Sequence, residues 1–434
     1  MDHRRRRPSP PHLAIRRPHR ALARRRGHRL RLVALLAVVG PGLLAGLSDD
    51  DPAGITTYSI LGADFGYELL WVLALSTAAL IVFHELAVRT GIVTGKGLMR
   101  LVRERYGTRA TTLALGALVI ANVGTICAEF AGVAAGMEVL TGSSRYLTVP
   151  FAALAVSVLV LRGSFGRVEH VLLALSAIFV AYIVSGVLAH PDWGATARGL
   201  VVPTLPGSRH GILVVVATLG TTLAPWGLAF IQSYAVDKRL KVADLGYERI
   251  DVVAGAVLTG VIGLFVVVAC AATLHESGLH IDDARDAALA LEPLAGSAAQ
   301  TLFGLGLVGA ALLAAAVVPL STAYSVAEAF EQPADLNDGF RRAPLFYGAY
   351  GVAVAVAVAV VLIPGAPLIP ILFLSQALNA VLLLAILPFL RALARDRELM
   401  GEHRLGRLDS VLTALVIALV AVSVAALAVL TIAR

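Results

Sequence analysis

Stretches of about 20 apolar residues recur along this chain, each long enough as a helix to cross a hydrocarbon core about 30 Å thick. Eleven can be marked, near residues 32–63, 67–88, 111–141, 146–161, 168–189, 211–236, 250–274, 298–330, 344–363, 368–390 and 408–433. Lipid offers no partners for backbone N–H and C=O groups, so runs of this length must satisfy them internally as helices. An all-α polytopic membrane protein is therefore predicted. Only 15% of the residues are charged, against about 25% in soluble proteins, and no soluble domain of any size fits between the runs. Many small residues, Gly and Ala, allow helix backbones to approach closely in lipid.

The net charge of +7 would suit a nucleic-acid partner, but its distribution points to membrane topology instead. Twelve of the 36 basic residues fall in the first 31 positions, from Arg4 to Arg31. If that tail is cytoplasmic, alternate connections should also be basic. Arg89, Lys96, Arg100, Arg103, Arg105 and Arg109 follow the second run, Arg162 and Arg167 the fourth, and Lys238, Arg239, Lys241 and Arg249 the sixth. Arg341 and Arg342 follow the eighth, and five arginines from Arg391 to Arg407 the tenth. The opposite side would hold only Arg145, Arg198, Arg209, Arg285 and Arg434.

The expectation is an inner-membrane protein with a cytoplasmic N-terminus and an extracytoplasmic C-terminus. Residues 1–31 should form a disordered basic tail attracted to anionic lipid, and residues 32–434 a single transmembrane domain. A secretory signal peptide is not expected, because no small-residue cleavage site follows the first run and the run leads into an acidic turn. The bilayer is the expected environment, with neither a nucleic acid nor an obligate protein partner indicated. Cys127 and Cys270 both lie within apolar runs, so neither a disulfide framework nor a thiolate metal cluster is indicated.

Two runs are interrupted. The first carries Asp49, Asp50 and Asp51 in its middle, next to Pro52. Carboxylates at membrane depth face a watery cavity or a cation, and proline breaks the helix there because it lacks an N–H and clashes with the preceding turn. The break frees backbone carbonyls to coordinate a cation, which lipid tolerates only where the break lines a cavity or is buried in protein. The sixth run carries Gly220-Thr221-Thr222-Leu223-Ala224-Pro225-Trp226-Gly227. The first and sixth runs each open a five-helix unit, and an odd number of spans makes the two units opposite in orientation. Interrupted helices at corresponding positions of inverted repeats mark a transporter site.

GPGLL at Gly40 to Leu44, DPAG at Asp51 to Gly54, FGYELLW at Phe65 to Trp71, GIVTGKGL at Gly91 to Leu98 and the Ala224-Pro225 break together resemble the Nramp family, the natural resistance-associated macrophage proteins. The resemblance covers nearly everything from Val33 to the end of the eleventh run. It implies divalent-metal transport on a LeuT-like fold, with spans 1–5 and 6–10 as inverted repeats and the ion between the two breaks. The implied metal site is Asp51, Gly54, Thr221, Ala224 and Gln376, with Asp49, Asp50, Glu129, Trp226 and Asn379 in a second tier. No cofactor is implied beyond the transported ion.

The departures from the family bear on selectivity. Its first-break motif is Asp-Pro-Gly-Asn, of which Asp51 and Pro52 match while Ala53 and Gly54 stand in the last two places. Ala224 stands where the family has a metal-binding methionine, and Trp226 where it has a histidine. Ile126 replaces an aspartate three residues before the matching Glu129. Loss of the thioether leaves an all-oxygen site, and loss of the relay residues argues against strong proton coupling. This pattern resembles the Nramp-related magnesium transporters. Mg²⁺ dehydrates reluctantly and is held by one or two carboxylates plus retained waters, so import of Mg²⁺, with Mn²⁺ as a further cargo, is the leading expectation. Proton-coupled uptake of Mn²⁺ or Fe²⁺ is the first alternative, and sodium-coupled symport of an organic solute the second.

Asp49 and Asp50 precede the motif position and are expected to face an outer vestibule and tune ion access. Glu129 should face the bundle interior. Gln376 and Asn379 share one helix face, where they either line the ion site or glue helices together. His84-Glu85 suggests the HExxH zinc motif, but Val88 occupies the second histidine position, so no enzyme is indicated. The pair should lie toward the cytoplasmic end of its helix in a gating or packing role. The segment from His275 to Ala299, with Glu276, Asp282, Asp283, Asp286 and Glu292, is expected to be extracellular and partly helical.

Overall fold

The computed structural model describes residues 41–161, 181–282, 284–334 and 340–432. Every regular element among them is a helix, as the apolar runs require, and the described chain forms one compact unit. The basic tail, most of the fifth run and Asp283 lie outside the described residues.

Both interrupted runs are two helices end to end. The first gives α1 (Pro41–Asp49) and α2 (Pro52–Phe65), and it is followed by α3 (Leu70–Thr94) and α4 (Leu98–Thr141). Helix α4 bends at Gly107, whose φ of 77° lies in the left-handed region that side chains disfavour. Next come α5 (Arg145–Leu161), α6 (Ala181–Leu188) and α7 (Trp193–Val201). The sixth run gives α8 (Arg209–Thr222) and α9 (Pro225–Asp237). The remaining long helices are α10 (Leu245–Cys270), α11 (Ala299–Ala329), α12 (Pro344–Val361), α13 (Leu368–Leu383), α14 (Leu387–Arg395) and α15 (Arg407–Ile432).

Among the described residues, seven helical stretches are long and apolar enough to cross a membrane, or eight if α13 and α14, bent by 41°, make one span. A count of eleven needs the broken α1–α2 pair, the shorter α5 and the fifth run, of which only α6 is described. The connection after α10 is partly helical as expected, with short helices at Ala284–Ala288 and Glu292–Ala295.

Small residues set how closely the broken helices are held. A β-carbon on Gly132 of α4 would come within 2.5 Å of Pro52, so α4 runs directly behind the first break. Gly220 lies against the Gln376 backbone of α13, leaving no room there for a side chain. At the end of the bundle carrying Lys96 and Arg100, Gln232 of α9 donates to the Lys96 carbonyl at 3.0 Å and Ser233 to Glu328 of α11 at 2.5 Å. At the opposite end, Asp64 of α2 bonds His210 of α8 and His280 of the α10–α11 connection, each at 2.7 Å.

Candidate functional site

Asp51 opens α2. Its backbone is extended and its Oδ1 accepts the Gly54 N–H at 2.5 Å, capping one of the amides that a helix start leaves without a partner. Pro52 follows at the first helical position, where a missing N–H costs nothing. A β-carbon at Gly54 would lie 2.8 Å from the Asp49 carbonyl oxygen, 3.1 Å from Asp51 Oδ1 and 3.3 Å from Thr221 Oγ1. Carbonyl, carboxylate and hydroxyl from both breaks therefore converge around Gly54, which contributes space rather than a ligand. Glu129 of α4 is wholly buried and interacts directly with the Asp51 carboxyl.

The second break has the same backbone logic. Leu223 ends α8, Ala224 starts α9 without a side-chain cap, and Pro225 takes the first helical position. Its neighbouring hydroxyl is fully used: Thr222 donates to the Thr218 carbonyl at 2.9 Å and meets Tyr58 and Ser76 at 3.0 and 3.1 Å. Trp226 is buried, and its carbonyl accepts from Ser321 of α11 at 2.8 Å.

Asp49, Asp50 and Asp51 are only 2%, 1% and 3% exposed, which corrects the expectation that the first two face an open vestibule. Asp49 is held at the junction of α1 with the break, and Asp50 turns toward Thr259 of α10. Both oxygens of Asp49 are buried with no hydrogen-bond partner, while Asp50 has only Thr259 nearby and Glu129 only the Asp51 carboxyl, so no basic group among the described residues neutralises any of them. A buried carboxylate without a partner is costly by several kcal/mol unless a proton or cation neutralises it. Even so, no three His, Cys, Asp or Glu side chains among the described residues form a ready-made metal cage. An ion here would be held by few side chains, by backbone carbonyls and by its own waters.

Gln376 and Asn379 form a chain within α13 that reaches α4. Asn379 donates to Gln376 Oε1 at 3.0 Å and to Thr125 at 3.1 Å. Their side-chain bonds are thus spent on helix contact, although the Gln376 backbone abuts Gly220 near the second break. Glu85 pairs with Arg89 and Arg249, while His84 points inward and is 1% exposed.

Sequence reasoning passed over Thr259, Ser48 and Glu328. Thr259 is a lone hydroxyl in an apolar stretch and offered only that isolation as a signal, whereas Ser48 stands beside the aspartate triplet and Glu328 near the polar end of its run. The acidic connection after α10 borders a cavity of about 560 Å³ lined by Thr273, Glu276 and Glu292, apart from both breaks.

A helical membrane bundle in which two broken helices meet, with carboxylates gathered at one break, has the build of a transporter for cations. A profile of the natural resistance-associated macrophage protein-like family, Nramp, matches residues 42–430, and the chain belongs to that family. It is 29% identical over 395 residues to the divalent metal cation transporter MntH of Yersinia enterocolitica, covering 89% of this chain and 93% of that one. It is 30% identical over 397 residues to MntH of Aeromonas hydrophila, with the same coverage of 89% and 93%.

Among solved structures, a variant of the Eremococcus coleocola manganese transporter superposes with a TM-score of 0.72 at 20% identity, covering 92% of this chain and 87% of that one. MhsT in complex with L-phenylalanine gives a TM-score of 0.61 at 14% identity, with 90% and 97% covered. These two likenesses establish the fold.

Proposed function

We propose that this protein carries a divalent metal cation across the membrane through a site between the two breaks. The observation that carries this reading is the set of buried carboxylates, Asp49, Asp50 and Glu129, gathered around the Asp51 cap with no basic side chain beside them among the described residues. Burial of that much acidic oxygen calls for neutralisation by a cation or by protons, and a cation is the reading that agrees with the family relatives, which are named as divalent metal cation transporters. In this reading Asp51 is the principal ligand, the Asp49 carbonyl and Thr221 hydroxyl supply further oxygens, and Ala224 and Gln376 line the cavity. Glu129, Asp50, Trp226 and Asn379 form its surroundings. The architecture is eleven spans in inverted repeat, with the Lys96 end cytoplasmic and the Asp64 end outside, in the inner membrane.

The cargo we favour is Mg²⁺, with Mn²⁺ also accepted. No sulfur ligand stands at either break, since Ala224 occupies the position before Pro225. A partly hydrated hard ion needs only one or two carboxylates. Ile126 and Trp226 stand at two positions of the family's usual proton relay, which favours weak or absent coupling to protons, whereas Glu129, Asp49 and Asp50 would have to supply any alternative relay. The names MntH and manganese transporter favour a second reading, proton-coupled Mn²⁺ or Fe²⁺ uptake. Sodium-coupled symport of an organic solute on the same fold is the least favoured reading, because the aspartates would repel a substrate carboxylate.

Flux of Mg²⁺ and Mn²⁺ into proteoliposomes containing a pH dye separates these readings. Mg²⁺ uptake without internal acidification is expected. Mn²⁺ uptake with matching proton influx and no Mg²⁺ uptake would replace the first reading with the second, and no flux of either ion would refute metal transport.

A further inference from the structure

Beside the Asp51 site lies a second group of polar atoms that the proposed transport path does not yet use. Gly227, in the first turn of α9, has no side chain, and two groups from other helices close on that gap. His84 Nε2 lies 3.3 Å and Asp49 Oδ1 3.7 Å from the point a β-carbon at Gly227 would occupy. Three backbone elements thus meet there: the C-terminal end of α1, the N-terminal turn of α9, and the middle of α3, from which the imidazole projects.

The two side chains are 1% and 2% exposed. Both Asp49 oxygens, His84 Nδ1 and the adjoining Ser48 hydroxyl are buried without hydrogen-bond partners. No basic side chain pairs with Asp49 in the described structure, and Glu85, the neighbour of His84, is turned away toward Arg89 and Arg249. An imidazole in a purely structural role would have its ring nitrogens satisfied by the protein. Here Nδ1 is left unsatisfied, and the ring's other nitrogen, Nε2, borders with Asp49 Oδ1 the same space that glycine leaves open.

We propose that His84 and Asp49 form a second cation station, next to the Asp51 site, that binds first-row transition metal ions through imidazole nitrogen and carboxylate oxygen. This proposal rests on the reading of the breaks as a metal path. Mg²⁺ takes oxygen ligands and gains little from imidazole, whereas imidazole suits Fe²⁺, Co²⁺ and Zn²⁺. The Asp51 site alone would favour hard ions. The station lets the protein also hold softer ones despite Ala224. The Asp49 residue then serves both sites, its carbonyl facing Gly54 and its carboxylate facing Gly227.

Co²⁺ is the probe, read by X-ray absorption at the cobalt edge on the purified full-length protein and by uptake into proteoliposomes. The wild type should show the multiple-scattering signature of one bound imidazole, and His84→Gln should lose it. His84→Gln should also raise the KM for Co²⁺ about tenfold, with a change of under about threefold for Mg²⁺. Gly227→Ala deletes no ligand but crowds Nε2, and should move the Co²⁺ to Mg²⁺ uptake ratio in the same direction. A wild-type spectrum with oxygen ligands only, or an imidazole signature that survives His84→Gln, would overturn the station while leaving the Asp51 site standing. Absence of Co²⁺ binding in a wild type that transports Mg²⁺ would overturn it as well. A wild type that transports no divalent ion at all would refute the underlying path.

Discussion

At the first break, three carboxylates stand in succession and both oxygens of Asp49 have no hydrogen-bond partner. At the second, the nearest side-chain oxygen with assigned bonds, Thr222 Oγ1, makes three of them to Thr218, Tyr58 and Ser76. Both breaks use the same backbone device, a residue with an extended ψ followed by proline at the first helical position. One break therefore holds unsatisfied charge and the other, apart from the Thr221 hydroxyl that faces Gly54, a satisfied frame. The two halves of an inverted repeat can share a backbone solution while only one of them carries the electrostatics. Substitutions at the first break should act on ions, and those at the second on shape or selectivity.

The largest effect is expected from Asp51. Asp51→Ala removes both the α2 cap and the principal ligand, and should cut Mg²⁺ flux at least about a hundredfold. Elution as a monodisperse, helical protein would show that the fold survives. Flux at the wild-type level would place the ion elsewhere.

Asp49→Asn and Asp50→Asn come next. Each keeps its shape and removes one unpaired charge, so KM for Mg²⁺ should rise about tenfold at low ionic strength with a smaller fall in maximal rate. Initial-rate uptake over a Mg²⁺ series reads both parameters. A collapse of maximal rate equal to that of Asp51→Ala would make them ligands of the same rank.

At the second break, Ala224→Met should shift uptake from Mg²⁺ toward Cd²⁺ about fivefold, because a thioether favours soft ions. Competition of the two ions checks this, and an unchanged ratio would mean that Ala224 does not face the ion. Proton influx should not accompany the shift. Gly54→Asn is not an equivalent route, since its β-carbon would press to 2.8 Å from the Asp49 carbonyl and force the break to move.

The smallest effect concerns the tie at the end of α2. The Asp64 carboxylate hydrogen-bonded to His280 raises that imidazole above its ordinary pKa. The protonated pair is therefore favoured at low pH, and its contribution fades as pH rises through the raised value. Both histidines are exposed, so the change should be modest, about twofold in uptake rate between pH 5.5 and 8. His280→Ala should flatten the profile, and an identical profile in the variant would assign the dependence to other groups.

How much of this was legible in the sequence differs between the two breaks and their surroundings. Asp51-Pro52 and Ala224-Pro225 announce themselves because proline and polar residues inside an apolar run admit few other readings. The α13 pair was half legible: Gln376 and Asn379 do share a face, but their partner Thr125 lies on a helix about 250 positions away. The approach of His84 to Asp49 and of Thr259 to Asp50 depends on helix crossing, which no local pattern encodes. Exposure was misjudged for Asp49 and Asp50 for a related reason. A charged triplet in a run suggests water nearby, yet the close packing of α4 and α10 behind the break encloses it.

Equilibrium binding of Mg²⁺ to the purified protein tests the division between a charged break and a framing one most directly. Wild type and Thr222→Val should each bind Mg²⁺ saturably with affinities within about threefold, while Asp51→Ala should show no saturable binding. Saturable binding retained by Asp51→Ala, or lost in a folded Thr222→Val, would contradict the account.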